Sequence, residues 1–170
     1  PSEPLEQTPE LWINRQHNQS INFVDGTSHG GDYFQLPSVA RGVAVGDLDN
    51  DRDLDLVVNQ WGRHAAVLRN ETSSRWWIEF QLVGVNGNRD AVGATMRIDI
   101  EGESIFRQRI GGGSYLSSSD PRLLVGLPQE TAVLSITVRW PGGKQQHWKQ
   151  LKTQSSWQLV EGKADALPIQ

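Results

Sequence analysis

The sequence predicts an all-β chain, and three observations carry that expectation. Apolar residues alternate with polar ones at period two in several short runs, the signature of half-buried strands. Glycine and proline, 17 and 8 of 170 residues, break the chain at short intervals. No window shows the i, i+3, i+4, i+7 apolar spacing of an amphipathic helix over a convincing length.

Residues 1–20 carry Pro1, Pro4 and Pro9 and little pattern, and are expected to be an extended arm or the end of a preceding unit. Pro1, with no apolar signal segment after it, reads as a chain processed or cut from something larger. Residues 21–72 form a second stretch, loop-rich and built around one dense acidic run. The polar link Asn70-Glu71-Thr72-Ser73-Ser74-Arg75 then leads to a third stretch, 76–162. There Ile78, Phe80 and Leu82 share one strand face, and Met96, Ile98 and Ile100 another. Leu134, Ile136, Val138 and Trp140 form the clearest inward row, with Ser135, Thr137 and Arg139 facing water. Turn signals separate these runs: Asn86-Gly87-Asn88, Glu101-Gly102 and Gly111-Gly112-Gly113. The glycine triplet suits a close approach of two backbones, after which Tyr115 is expected to enter the core. Trp140-Pro141-Gly142-Gly143-Lys144 reads as a tight hairpin into Gln145–Trp148, and 163–170 as a tail.

The acidic run is Asp47-Leu48-Asp49-Asn50-Asp51-Arg52-Asp53-Leu54-Asp55. Five of the 20 acidic residues fall within nine positions, where random placement puts about one. On a straight strand the five carboxylates would share one face and repel one another. Curled around a hard cation, the same loop is neutralised. Calcium accepts six to eight oxygens in irregular geometry, whereas magnesium demands a near-ideal octahedron. The loop is not an EF-hand, because the bidentate Glu of position 12 is replaced by Val58 and the flanks, Gly42–Gly46 and Leu54–Val58, are strand-like. It reads as a β-loop-β calcium site. The net charge of −4 resides in this loop: without it, 15 acidic residues face 15 basic ones.

Composition excludes other classes. No basic tract exists to follow a phosphate backbone, so nucleic acid is not an expected partner. The longest uncharged stretch, Ile110–Ser119, is too short to span a bilayer. With no cysteine there are no disulfides, thiolate metal sites or cysteine nucleophiles. His17, His29, His64 and His147 show no ligand spacing, and no nucleophile elbow or phosphate loop occurs. The chain is therefore expected not to be an enzyme.

Arg41-Gly42-Val43-Ala44-Val45-Gly46, the Asp ladder and Leu56-Val57-Val58-Asn59 together resemble an FG-GAP/VCBS-type repeat, the calcium hairpin of integrin-like β-propeller blades. The later motifs resemble the ASPIC/UnbV domain, in the pairing seen in bacterial secreted proteins and the cartilage acidic protein group. They are Asn88-Arg89-Asp90-Ala91-Val92-Gly93-Ala94, Gly112–Arg122 and Val138-Arg139-Trp140-Pro141-Gly142-Gly143. The resemblance implies a single blade-like calcium hairpin packed on a C-terminal antiparallel β-sandwich or barrel-like domain. It implies Ca2+ held by the carboxylates of Asp47, Asp49, Asp51 and Asp55 and by the main-chain oxygen of Asp53. It departs at Arg52, where the family pattern has a glycine. An arginine there carries strain on the order of 1 kcal/mol at positive φ, and its charge opposes the cation.

The function implied is a non-enzymatic, calcium-stabilised extracellular module for adhesion or recognition, the C-terminal part of a larger propeller protein. Its partners would be proteins or glycans of the matrix or cell surface, and its place extracellular, cell-surface or periplasmic. The alternative is a carbohydrate-binding accessory module of a secreted enzyme. Trp61, Trp76 and Trp77 are the candidate surface for either. Trp76 and Trp77 are adjacent and must point to opposite faces of a strand. Two readings stand for these rings: packing between the two halves, or a platform for a sugar or protein partner.

Overall fold

The computed structural model describes residues 5–17, 20–72, 76–128 and 132–169. Pro1 and Pro4, and Ser73–Arg75 of the polar link, lie outside them. Thirteen strands and two short 3₁₀ turns, Thr27–His29 and Asp32–Gln35, make up the regular structure of the described residues.

The core is a sandwich. One sheet holds β6 (Trp77–Val83), β9 (Leu123–Gly126), β12 (Ser156–Val160) and β13 (Leu167–Ile169) in the order β13-β12-β6-β9. The other holds β7 (Thr95–Ile100), β8 (Glu103–Gln108), β10 (Val133–Arg139) and β11 (Gln145–Lys149) in the order β11-β10-β7-β8. The inward rows read from the sequence meet here. Ile78, Phe80 and Leu82 of β6 with Leu159 of β12 pack against Met96, Ile98, Ile100, Ile136 and Val138, all buried. Trp140 and Trp148 complete this core. The hairpin expected at Trp140–Lys144 closes on two backbone bonds, Gly143 N–H to Trp140 and Trp140 N–H to Lys144.

Four details differ from the sequence expectation. The β10 register shifts between Val133 and Ser135, so Val133 turns inward and Leu134, expected in the core, is 52% exposed; one slipped residue exchanges the two faces. Tyr115 does not enter the core and is 66% exposed. The sandwich is not wholly antiparallel, since β12 runs parallel to β6. β12 arrives from β11 in the opposite sheet rather than through a hairpin, and only hairpin neighbours are forced antiparallel. The stretch expected as a tail supplies β13, paired with β12.

Ahead of the sandwich lies a three-stranded antiparallel sheet of β3 (Ala40–Gly46), β4 (Asp55–Gln60) and β5 (Ala66–Leu68), in that order. β1 (Trp12–His17) and β2 (Ser20–Asp25) form a separate hairpin.

Candidate functional site: an acidic loop clamped to the sandwich

The antiparallel pairing of β3 and β4 runs to Gly46 opposite Asp55, which makes the residues between them a hairpin loop. Its own side chains shape it. Asp49 accepts the Asp51 N–H at 3.3 Å, Asp51 the Asp53 N–H at 2.9 Å, and Asp47 the Arg52 N–H at 3.1 Å. Such Asx contacts replace a backbone ladder where the chain must curl. Asn50 and Arg52 take left-handed φ values of 60° and 78°. The conformation that glycine would supply is thus kept by an arginine, with the strain expected of it at positive φ.

One oxygen from each of Asp47, Asp49 and Asp55 lies within 4.8 Å of the others. Oxygens on opposite sides of a calcium ion stand about 4.6–5.2 Å apart. Asp47 and Asp55 are buried, at 5% and 2% exposure. Asp55 is held by its two oxygens: Oδ1 accepts the Asn70 N–H at 2.8 Å and Oδ2 the Leu48 N–H at 3.0 Å. These two bonds, Asn70's first, hold its carboxyl below the ordinary carboxylate range, against the opposing effect of burial. Asp47 Oδ1, by contrast, is buried with no hydrogen-bond partner. An orphaned anionic oxygen costs several kcal/mol, and a cation among these carboxylates would satisfy it. The donor set therefore fits a hard divalent ion. Asp51 lies outside the converging trio, with Oδ2 3.9 Å from Arg69. The Asp53 side chain is buried.

The loop is clamped to the sandwich through residues that sequence reasoning missed. Glu79, on the β6 face opposite Ile78 and Phe80, is buried at 2% exposure. It faces two guanidiniums: Arg52 at 3.4 Å and Arg122 at 3.5 Å. Arg52 also lies 3.7 Å from Asp47 and stacks over Trp77 at 4.6 Å. Arg122 donates to the Asp47 carbonyl at 3.2 Å and to Asn50 Oδ1 at 3.3 Å. Asp120 steers it with an ion pair at 2.6 Å. That bond raises the Arg122 pKa; in Asp120, burial pushes upward but the bonds from Arg122 outweigh it, and the net shift is downward. Around the loop, six carboxylates (Asp47, Asp49, Asp51, Glu71, Glu79 and Asp120) pair with the guanidiniums of Arg52, Arg69 and Arg122.

β3 is the edge of its sheet, and the segment after the glycine triplet closes that edge. Ser114 and Ser119 hydroxyls accept the N–H groups of Val43 and Val45 at 3.0 and 3.2 Å, and Asp120 N–H donates to the Val45 carbonyl at 2.8 Å. A Cβ on Gly42 would collide with the Tyr115 carbonyl and the Ser117 hydroxyl, so glycine is required for this approach.

The three tryptophans separate. Trp76 packs against the sandwich core, and Trp77 lies under Arg52 at the junction. Trp61 is 55% exposed, its N–H bonded to the Val39 carbonyl at 2.9 Å. The signals that could have revealed the clamp were an acidic residue on a strand beside a tryptophan, and Arg122 within the Asp120-Pro121-Arg122 motif.

Residues 84–166 match the model of the ASPIC and UnbV family. The match covers just under half of the chain and takes in β7 to β12, with Asp120 and Arg122. No curated protein matches the chain. Among the described residues, no helix is long and apolar enough to cross a membrane.

Proposed function

We propose that the chain is a non-enzymatic, calcium-stabilised extracellular module for adhesion or recognition, the C-terminal part of a larger β-propeller protein. The observation that carries the calcium part is the buried, unpartnered Oδ1 of Asp47 beside the converging oxygens of Asp49 and Asp55. The FG-GAP/VCBS-like character of the hairpin belongs to the same proposal. A three-stranded sheet that exposes Val67 of β5 at 64%, with Leu48 of its hairpin loop exposed at 53%, is what a blade offers its neighbours. The carboxylates converge on one another and on guanidiniums, an arrangement suited to holding a cation rather than to splitting acid and base roles. The ion's role is structural: it completes the loop that Arg52 and Arg122 fasten to the sandwich. A dissociation constant of about 10⁻⁴–10⁻³ M, in the range of extracellular modules, matches an extracellular or periplasmic setting.

Thermal melting in calcium and in chelator tests this reading. At 10 mM calcium, that affinity stabilises by about 1.4–2.7 kcal/mol, a rise of about 3–10 °C in Tm for a chain of this size. Asp49→Ala, which removes one exposed member of the trio, abolishes the calcium-dependent rise. Coincident melting curves with and without calcium would refute the proposal.

A further inference from the structure

Arg41, Trp61 and Tyr115 line one open cleft, about 710 Å³ in volume, together with Ala40. Both rings are exposed, and among the described residues no hydrogen bond or ion pair engages the Arg41 side chain. The cleft continues past Arg41 into a second one lined by Pro9 and Glu10. The Glu10 carboxylate accepts the Trp12 indole N–H at 2.9 Å and forms no ion pair with Arg41, whose guanidinium stays open to a ligand. The backbones that carry the rings are fixed: Trp61 by its bond to Val39, and Tyr115 by the contact of its carbonyl with Gly42 and by the Ser117 hydroxyl at 3.0 Å. Two exposed aromatic rings on held backbone, lining one cleft with an unpaired guanidinium, form a recognition set.

We infer that this cleft binds an acidic sugar, a hexuronate unit of a polysaccharide. The aromatic rings offer flat apolar faces to the C–H surface of a pyranose. The Arg41 fork matches a carboxylate in two-point, charge-assisted geometry, whereas the hydroxyls of a neutral sugar accept from it without the charge. A protein partner is disfavoured by size: stable protein interfaces take about 20–30 residues on each side, whereas the two adjoining clefts together are lined by eleven. The cleft joins both parts of the chain, since Arg41 and Trp61 come from the hairpin unit and Tyr115 from the segment that closes on it. The inference rests on the recognition reading above and names its ligand class.

The test titrates the calcium-loaded chain with trigalacturonate and, separately, with cellotriose, by calorimetry and tryptophan fluorescence. The acidic trimer binds at least about tenfold more tightly than the neutral one. Arg41→Gln removes that preference, and Trp61→Ala weakens the acidic trimer about tenfold or more. Trp61→Phe, which keeps a ring, retains most of the binding. Both positions are exposed, and unchanged melting curves establish that the variants fold. Absence of trigalacturonate binding overturns the inference, as does binding that survives both Arg41→Gln and Trp61→Ala. A calcium-dependent Tm with no sugar binding overturns only this inference; sugar binding with no calcium effect on Tm overturns only the calcium reading.

Discussion

Arg52→Gly tests whether the strained arginine belongs to the clamp. Glycine relieves about 1 kcal/mol of left-handed strain, and its extra freedom in the unfolded chain offsets most of that gain. What remains is the loss of contacts. The stacking over Trp77, at 4.6 Å on a partly exposed side chain, is worth about 0.5–1 kcal/mol. Glu79, with its side chain 3% exposed, loses one of two guanidinium partners and keeps Arg122 at 3.5 Å. Removing a partner from a buried charge costs about 1–3 kcal/mol. The net destabilisation centres on about 2 kcal/mol, or about 4–8 °C in Tm, measured in chelator by circular dichroism. Calcium binding moves the opposite way. Taking a positive charge from beside Asp47 removes repulsion of about 1 kcal/mol at an exposed loop, so affinity improves roughly fivefold by calorimetry. A variant that melts at or above the wild-type temperature in chelator would show that Arg52 is merely tolerated and that the clamp contributes nothing.

Three further outcomes follow from the same geometry. Gly42→Ala drives a methyl group into the Tyr115 carbonyl and Ser117 hydroxyl; amides of Val43 and Val45 then exchange faster with deuterium, while the sandwich amides keep their protection. Ile98→Ala in the closed core costs about 2–5 kcal/mol and lowers the denaturation midpoint in calcium and in chelator alike. Stability holds from neutral pH down to the ordinary carboxylate range and falls below it. Asp99 is depressed by the hydroxyls of Ser104 and Ser135, and Glu161 by the backbone N–H groups of Asn86 and Val85. A group whose folded pKa is lowered stabilises above its unfolded value and loses that contribution as pH falls through the folded one; a Tm that rises on acidification below pH 4 would contradict this.

The fold was legible where its signal is local. Period two placed Ile78, Phe80, Leu82, Met96, Ile98 and Ile100 in the core correctly, because alternation follows directly from strand geometry. Leu134 was misread because a bulge has no sequence mark strong enough to break an alternating row. The parallel pairing of β12 with β6 was invisible for a different reason: it joins residues more than seventy positions apart, and no local pattern encodes a partner. Tyr115 was expected inward because the glycine triplet permits a close backbone approach, yet that approach is made by the Ser114–Asp120 segment to the edge of β3, which leaves the ring outside.

The acidic loop shows the same division within one residue. Charge density and alternate spacing marked Asp47, Asp49, Asp51, Asp53 and Asp55 as one cluster, and within it oxygens of Asp47, Asp49 and Asp55 converge. The reading of Arg52 as a liability followed from the loop alone, where a left-handed arginine beside a cation site has only costs. Those costs persist in the structure, with φ at 78° and a guanidinium 3.7 Å from Asp47. The offsetting contacts, Glu79 and Trp77, lie on a strand of the other unit and enter the sequence only as an unremarkable acidic residue and one of two adjacent tryptophans. On the proposed calcium reading, a glycine at this position would give a better ion loop on a less firmly clamped hairpin, still held by Arg122 and by the Ser114–Asp120 segment; arginine gives a weaker ion loop and a stronger clamp. If the proposed ion site holds, arginine at this position moves stability from that site to the junction, and the opposite signs expected for Arg52→Gly in chelator and in calcium binding are the signature of that trade.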